Sequence, residues 1–158
     1  MYIPSWYPSK SDLQNGVFIQ KHAQSAALNN KISVLFANAN GRNTEVHIEN
    51  ENLTEHILTF KRVNNSWLNK LRLLKCYFQQ YKKLKNIDII HAHVWSNKTI
   101  IAYLISVLYQ KPLVISEHWS GYVSHFGFLE NLLMRIVFKK ARFILPVSDF
   151  LKNLMEVK

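Results

Sequence analysis

Three short polar groups in this chain follow runs of apolar residues: Ala92-His93-Val94-Trp95, then Glu117-His118-Trp119-Ser120-Gly121-Tyr122, then Ser148-Asp149. A fourth segment, residues 4–16, runs from Pro4 into Asn15-Gly16-Val17 just before a helical pattern. Histidines, an acid, aromatic rings and a serine make the composition of a polar ligand site with stacking surfaces. Gly16 adds a phosphate chemistry. A glycine lets a ligand come close to the backbone, and a helix start offers unpaired N–H groups and the positive end of the helix dipole. His118 follows the buried-looking run 113–116, has Glu117 before it and a glycine-containing loop after it, and is the leading candidate to meet substrate.

A metal is the competing chemistry. His91 and His93 lie two apart and would share one face of a strand, with Glu117, His118 or His125 as a third ligand if the fold brings one of them near. There is no H-E-x-x-H helix and no second acidic cluster, so no metal is expected and His91 reads as a packed strand residue. Cys76, the single cysteine, lies in a helical pattern among lysines. It reads as a partly buried structural thiol that suits a reducing compartment.

These groups must be positioned by something regular. Apolar runs at 1–4, 32–37, 55–60, 87–92, 112–116 and 142–147 predict strands. Helical periodicity predicts helices over 17–29, 66–85, 96–109, 129–140 and 149–155. Strands as continuously apolar as Leu113-Val114-Ile115 suit a sheet covered on both faces, and their alternation with helices predicts an α/β, Rossmann-like, doubly wound, mainly parallel sheet. Ligands of such sheets bind outside the carboxyl ends of the strands, which is where the polar groups fall.

The 158 residues suit one domain with a substantial core. Disorder is excluded by an apolar content of 48% with only four Gly and four Pro. No apolar run approaches the roughly 20 residues that span a bilayer, and the start lacks the pattern of a signal peptide, so a cytoplasmic protein is expected. Twenty Lys and Arg against ten Asp and Glu give +10 and favour anionic partners. No RRM-like, KH-like or helix-turn-helix signature points to nucleic acid. The acid-free helix 66–85 places Trp67, Leu71, Leu74, Phe78 and Tyr81 on one stripe, and Arg72, Lys75, Gln79, Lys82 and Lys83 on another. The first stripe should face the core. The second is solvated, or docks on an anionic membrane at its inner face through Arg72, Lys75, Lys82 and Lys83.

The wording Ile3-Pro4-Ser5-Trp6-Tyr7-Pro8, continued by Asn15-Gly16-Val17-Phe18-Ile19-Gln20-Lys21-His22-Ala23-Gln24, resembles the amino-terminal end of the retaining family 4 glycosyltransferases of GT-B architecture. Three further segments resemble that family in the same order. They are Asp88-Ile89-Ile90-His91-Ala92-His93, Pro112-Leu113-Val114-Ile115-Ser116-Glu117-His118, and the strand that begins Ala141-Arg142-Phe143 and ends Val147-Ser148-Asp149-Phe150-Leu151. One departure is Trp119, where many members have Gly or Asp. The resemblance implies an amino-terminal, acceptor-side domain over 1–158 and a carboxy-terminal donor domain, bearing E-x7-E, that this chain does not include. The isolated chain would then be inactive. It implies transfer from a nucleotide-diphosphate sugar to a glycan or lipid-linked acceptor of the cell envelope, with retention and with no required metal or other cofactor. By the same resemblance Asn15, Gly16 and Val17 approach the donor diphosphate, His118 lies near the transferred sugar, and His93, Trp95, Glu117 and Ser148 line the acceptor side. Two other classes remain open: a non-catalytic basic module that binds a polyanion, and a metal-dependent hydrolase built on His91 and His93.

Overall fold

The computed structural model describes residues 1–10, 12–39, 44–118 and 127–156, with side chains included except over 44–49. In chain order the elements are β1 Tyr2–Pro4, α1 Val17–Ala26, β2 Ile32–Asn38, β3 Thr44–Asn50, β4 Leu53–Thr59, α2 Ser66–Tyr81, β5 Ile90–His93, α3 Asn97–Leu108, β6 Leu113–Glu117, α4 Phe128–Lys140, β7 Phe143–Pro146 and α5 Asp149–Glu156. The strands form one sheet in the order β3-β4-β2-β1-β5-β6-β7. Six of them run parallel and β3 pairs antiparallel with β4 at the edge. Among the described residues no helix is long and apolar enough to cross a membrane.

Side-chain alternation splits the core into two layers. Tyr2 packs with Ile19 and Ala23 of α1, while Ile3 packs on the opposite face with Tyr77 of α2 and with Ile101 and Ile105 of α3. Met134 and Val137 of α4 join the second layer. The sheet is therefore doubly wound, with the direction of each crossover choosing the face that its helix covers.

Strand β3 was not among the expected elements. Its sequence Thr-Glu-Val-His-Ile-Glu-Asn alternates in the way of an edge strand, and the turn that follows is closed by Asn50, whose Oδ1 accepts from the N–H groups of Asn52 and Leu53 at 2.8 and 2.9 Å. The expected strand 87–92 begins instead at Ile90, because its neighbour β1 pairs Tyr2 with His91 and Pro4 with His93. The helix expected over 66–85 ends at Tyr81, and its core-facing stripe is only half right. Tyr77, Gln80 and Tyr81 are buried, but Trp67 is 68% exposed and Leu71 44% exposed. The first turns of α2 stand beside an open cleft rather than on the sheet. Its last turns are pinned, the Ala37 N–H donating to the Tyr77 hydroxyl at 3.1 Å and Gln80 Nε2 lying 2.9 Å from His56 Nδ1.

Candidate functional site

The carboxyl ends of β1, β5, β6 and β7 are stitched side by side. Ser5 N donates to His93 O at 2.9 Å, Val94 N to Ser116 O at 2.9 Å and Val147 N to Glu117 O at 3.1 Å. Three loops and one helix start thus share one edge of the sheet.

The loop after β1 is folded tightly on itself. Ser9 and Asp12 exchange backbone hydrogen bonds, and Asp12 Oδ1 accepts from Gln14 N and Asn15 N, both at 3.1 Å. Gly16 then opens α1 in the left-handed region at φ 72°, and a Cβ there would lie 2.5 Å from the carbonyl carbon and oxygen of Trp6. Its role is first steric: only glycine fits beneath the Trp6–Tyr7 backbone at that dihedral. Tyr7 is fully buried and its hydroxyl donates to the buried Glu55, which also accepts from Gln20 Nε2 at 3.2 Å, so the loop is clamped to β4 and α1. α1 has no side-chain cap and no acid in its first turn. Asn65 and Ser96 supply caps to α2 and α3. Of the three residues expected at the phosphate, Asn15 has its N–H engaged with Asp12, while Gly16 and Val17 lie at the uncapped helix start.

Beside this start the structure gathers four imidazoles. His91 and His93 stack with ring centroids 4.2 Å apart, His118 stacks on His93 at 5.8 Å, and His22 of α1 meets His93 edge-on at 5.5 Å. Tyr2 closes the group, 4.6 Å from His93. Phe18, two residues after Gly16, lies 5.0 Å from His118 and joins the loop to the cluster. His91 Nε2 lies 2.8 Å from Ser116 Oγ. Both ring nitrogens of His93 and Nε2 of His118 are buried without a hydrogen-bond partner among the described residues. Burial, reinforced by His22, holds His118 below the usual histidine range; burial, then His22 and the other neighbouring charges, takes His91 down to about 3. Burial first and then His91, His22 and His118 push His93 well down. Burial thus keeps His91, His93 and His118 neutral at physiological pH. Among the described residues no three metal-ligating groups cluster so as to hold an ion; His125, one of the third ligands considered, lies outside them.

Two expected site residues point away from the cleft. Glu117 is fully buried, and its carboxylate accepts from Trp95 N at 2.8 Å and His118 N at 3.0 Å. It is a clip that fixes the backbone of both loops, its carboxylate turned inward rather than toward an acceptor. Trp95 is 4% exposed, packs edge-on against Phe138 of α4 and donates from Nε1 to Glu130 at 3.3 Å. Its side chain belongs to the helix-covered layer, because the chain reverses at Val94. That residue has φ 67°, strained for a β-branched side chain, and is held there from several sides. Its N–H donates to Ser116 O, and its carbonyl accepts from Ser5 Oγ at 2.6 Å and Thr99 Oγ1 at 2.7 Å. Ser148 is exposed at the same edge, where Oγ accepts from Leu151 N at 3.2 Å and caps α5. The segment Trp119-Ser120-Gly121 lies outside the described residues.

Sequence reasoning missed His22 and Lys98. His22 sits three positions after the buried Ile19 on α1, a spacing that puts both on neighbouring faces, and that was the available signal. Lys98 lies in the first turn of α3, where a cation opposes the helix dipole. Its ammonium donates to Ser5 O at 2.8 Å and sits 3.7 Å above the Phe36 ring. Burial pushes it down to about 7. It forms one wall of a cleft of about 810 Å³ between the ends of β2 and β4 and the first turns of α2 and α3.

Residues 22–157 match the model of Glycosyltransferase Family 4. No curated protein matches. The match covers the His93, His118 and Ser148 segments and begins after the Gly16 loop. It spans most of the chain, and the protein belongs to Glycosyltransferase Family 4, with the role of a glycosyltransferase domain on a Rossmann-like α/β fold.

Proposed function

We propose that this chain is the acceptor-side half of a GT-B enzyme that moves a sugar from a nucleotide-diphosphate donor to a glycan or lipid-linked acceptor with retention of configuration. The observation that carries the proposal is the approach of Phe18 to within 5.0 Å of His118 between ring centroids, which brings the uncapped start of α1 beside the histidine cluster. The bond between the anomeric carbon and the diphosphate breaks, and one to an acceptor hydroxyl oxygen forms. The leaving diphosphate carries away the bonding electrons, and the hydroxyl proton leaves with it or passes to solvent. Uncapped N–H groups at Gly16 and Val17 stabilise the negative charge that grows on the leaving group. His118, kept neutral by burial, hydrogen-bonds a hydroxyl of the transferred sugar. His93 supports it from behind by stacking, and no residue of this chain is assigned as nucleophile. A second domain, outside these 158 residues, holds most of the donor, so the isolated chain binds nucleotide sugar weakly. No metal or other cofactor is required.

The exposed Trp67 and Leu71 beside Arg72 and Lys75 favour one addition: α2 docks on an anionic membrane at its inner face, with Lys82 and Lys83 extending the basic side. That would bring a lipid-linked acceptor to the sheet edge of a cytoplasmic, peripherally bound enzyme. The deciding experiment is a panel of nucleotide sugars offered to the complete enzyme, with hydrolysis and transfer followed together. Release of nucleoside diphosphate from one donor and its loss in the His118→Ala variant are expected. A complete enzyme that turns over no nucleotide sugar would overturn the proposal.

A further inference from the structure

The cleft beside α2 lies on the same carboxyl edge as the histidine cluster but has a different chemistry. Its floor is the end of β2, Ala37 to Ala39, and its walls bring together Arg62, Lys70 and Lys98 with the amides of Asn64 and Asn97. None of its lining residues among the described ones is acidic. The wall is a built one. Asn69 grips Val63 twice, accepting from its N–H at 3.0 Å and donating to its carbonyl at 2.7 Å, and Arg72 Nη1 donates to Lys61 O at 2.8 Å. The segment carrying Arg62 is thereby fixed against α2 rather than free.

Arg62, Lys70 and Lys98 line one concavity, and the Lys98 ammonium is held by a carbonyl and an aromatic face, without a carboxylate among the described residues. Such an arrangement stabilises the fold poorly by itself. It becomes favourable when an anion enters, because each cation then gains a charge-assisted hydrogen bond. The first turns of α2 and α3 line the same space and carry no acid, which adds to the field.

We propose that this cleft binds a phosphate-type anionic group of the acceptor, so that the acceptor of this transferase is a phosphorylated molecule rather than a neutral glycan. The proposal rests on the transferase function for the word acceptor, while the anion site stands on the cleft alone. Arg62 and Lys70 meet the anion at the mouth and Lys98 meets it inside. The hydroxyl to be glycosylated is then directed along the sheet edge toward His118. A phosphorylated sugar in solution and a lipid-linked phosphate share this chemistry.

The test is an amide-resolved NMR titration of the 158-residue chain at fixed ionic strength with inorganic phosphate, dodecyl phosphate in neutral detergent micelles, and glucose. Phosphate is expected to shift the amides of Asn64, Lys70, Asn97 and Lys98 and to saturate by about 10 mM. Arg62→Gln combined with Lys70→Gln is expected to weaken it about tenfold. Both substitutions are on exposed side chains, so they decide the matter even if Lys98→Met does not fold. Equal affinity for the two phosphates supports a soluble acceptor, and at least about tenfold preference for the dodecyl ester supports a lipid-linked one. The proposal is overturned if glucose shifts the same amides as strongly, or if the double variant binds phosphate like the parent chain. Phosphate shifts that spread over the basic surface without saturating would also overturn it. Phosphate bound in the cleft of an enzyme that transfers no sugar would defeat the transferase function and leave the site standing. Transfer to an uncharged acceptor, with a KM unmoved by the double substitution, would do the reverse.

Discussion

The histidine cluster and the basic cleft occupy one edge of one sheet and yet handle charge in opposite ways. In the cluster, His91, His93 and His118 are packed ring against ring, and burial keeps them neutral. In the cleft, Arg62 and Lys70 reach solvent, whereas Lys98 is drawn far enough inside for burial to push its ammonium down to about 7. The strands on the two sides are alike; the difference comes from what covers them. α1 lies directly on the face that carries Tyr2, His91 and His93, whereas the first turns of α2 stand off from the ends of β2 and β4 and admit water. Packed imidazoles and solvent-facing cations are thus placed side by side on one sheet edge by different helix coverage.

This contrast is sharpest at His118. His118→Ala in the complete enzyme is expected to reduce kcat by about 100- to 1,000-fold, the usual cost of losing one preorganised donor at the reacting centre, with little change in stability. Arg62→Gln with Lys70→Gln should instead raise the KM for acceptor and leave kcat nearly unchanged. Steady-state kinetics on both variants would break the comparison if the two effects were exchanged.

Gly16 tests whether the cluster depends on the loop that abuts it. Gly16→Ala must place a Cβ 2.5 Å from the Trp6 carbonyl at a dihedral that itself costs roughly 1–2 kcal/mol for a residue with a side chain. We expect at least about 2 kcal/mol of destabilisation by urea unfolding, because the clash is with backbone and cannot relax by rotamer change. Gly127→Ala is the control. Nothing lies within 4 Å of the Cβ it would add, and its effect should stay within about 0.5 kcal/mol.

Acid should affect the cluster before the cleft. The folded-state pKa of His91, His93 and His118 lies below that of the unfolded chain, so the unfolded state binds more protons and stability is lost as pH falls from about 6.5 toward 3. The slope is at most about 1.4 kcal/mol per pH unit for each histidine. Melting temperature against pH should flatten in His91→Asn. Lys98 contributes with the same sign at higher pH. Its depressed pKa means that stability rises as pH climbs from about 7 toward 10.5, while phosphate binding in the cleft weakens as pH rises through about 7 and the folded chain loses the ammonium.

The smallest expected effect is at the outer face of α2. Replacing Arg72, Lys75, Lys82 and Lys83 with Gln should remove salt-sensitive sedimentation with anionic vesicles and spare the fold, since all four are exposed. Arg72 also bonds the Lys61 carbonyl, so a small loosening of the cleft wall should accompany it, visible as a modest rise in the phosphate dissociation constant.

Much of this architecture was legible in the residues. Continuous apolar runs such as Leu113-Val114-Ile115 and the spacing of helices between them give a parallel sheet, and the polar groups after each run give its working edge. The antiparallel β3 escaped because its alternating Thr-Glu-Val-His-Ile-Glu-Asn is weakly apolar, and its Asn50 turn is a local signal that is easily passed over. The stripe on α2 was read from periodicity alone, and periodicity cannot say where along a helix the sheet ends. Trp67 and Leu71 share the pattern of Tyr81 but lie beyond the sheet, beside the cleft.

The direction of each side chain was out of reach. Glu117 and His118 are neighbours in sequence, yet one carboxylate is turned inward to hold Trp95 N and His118 N while the imidazole stacks on His93 and Phe18. Trp95 leaves the cleft because Val94 takes φ 67°, a conformation that three hydrogen bonds, from Ser116, Ser5 and Thr99, impose and that valine does not choose by itself. The sequence by itself determined the alternation of the parallel strands with their helices and, to within a residue, where those strands end, because these depend on local hydrophobic period. Only the tertiary structure decided that His22 joins three histidines some 70 to 96 positions away, and that Lys98 is drawn into a cleft without an acid among its lining residues, because burial and charge depend on elements brought together by the crossovers.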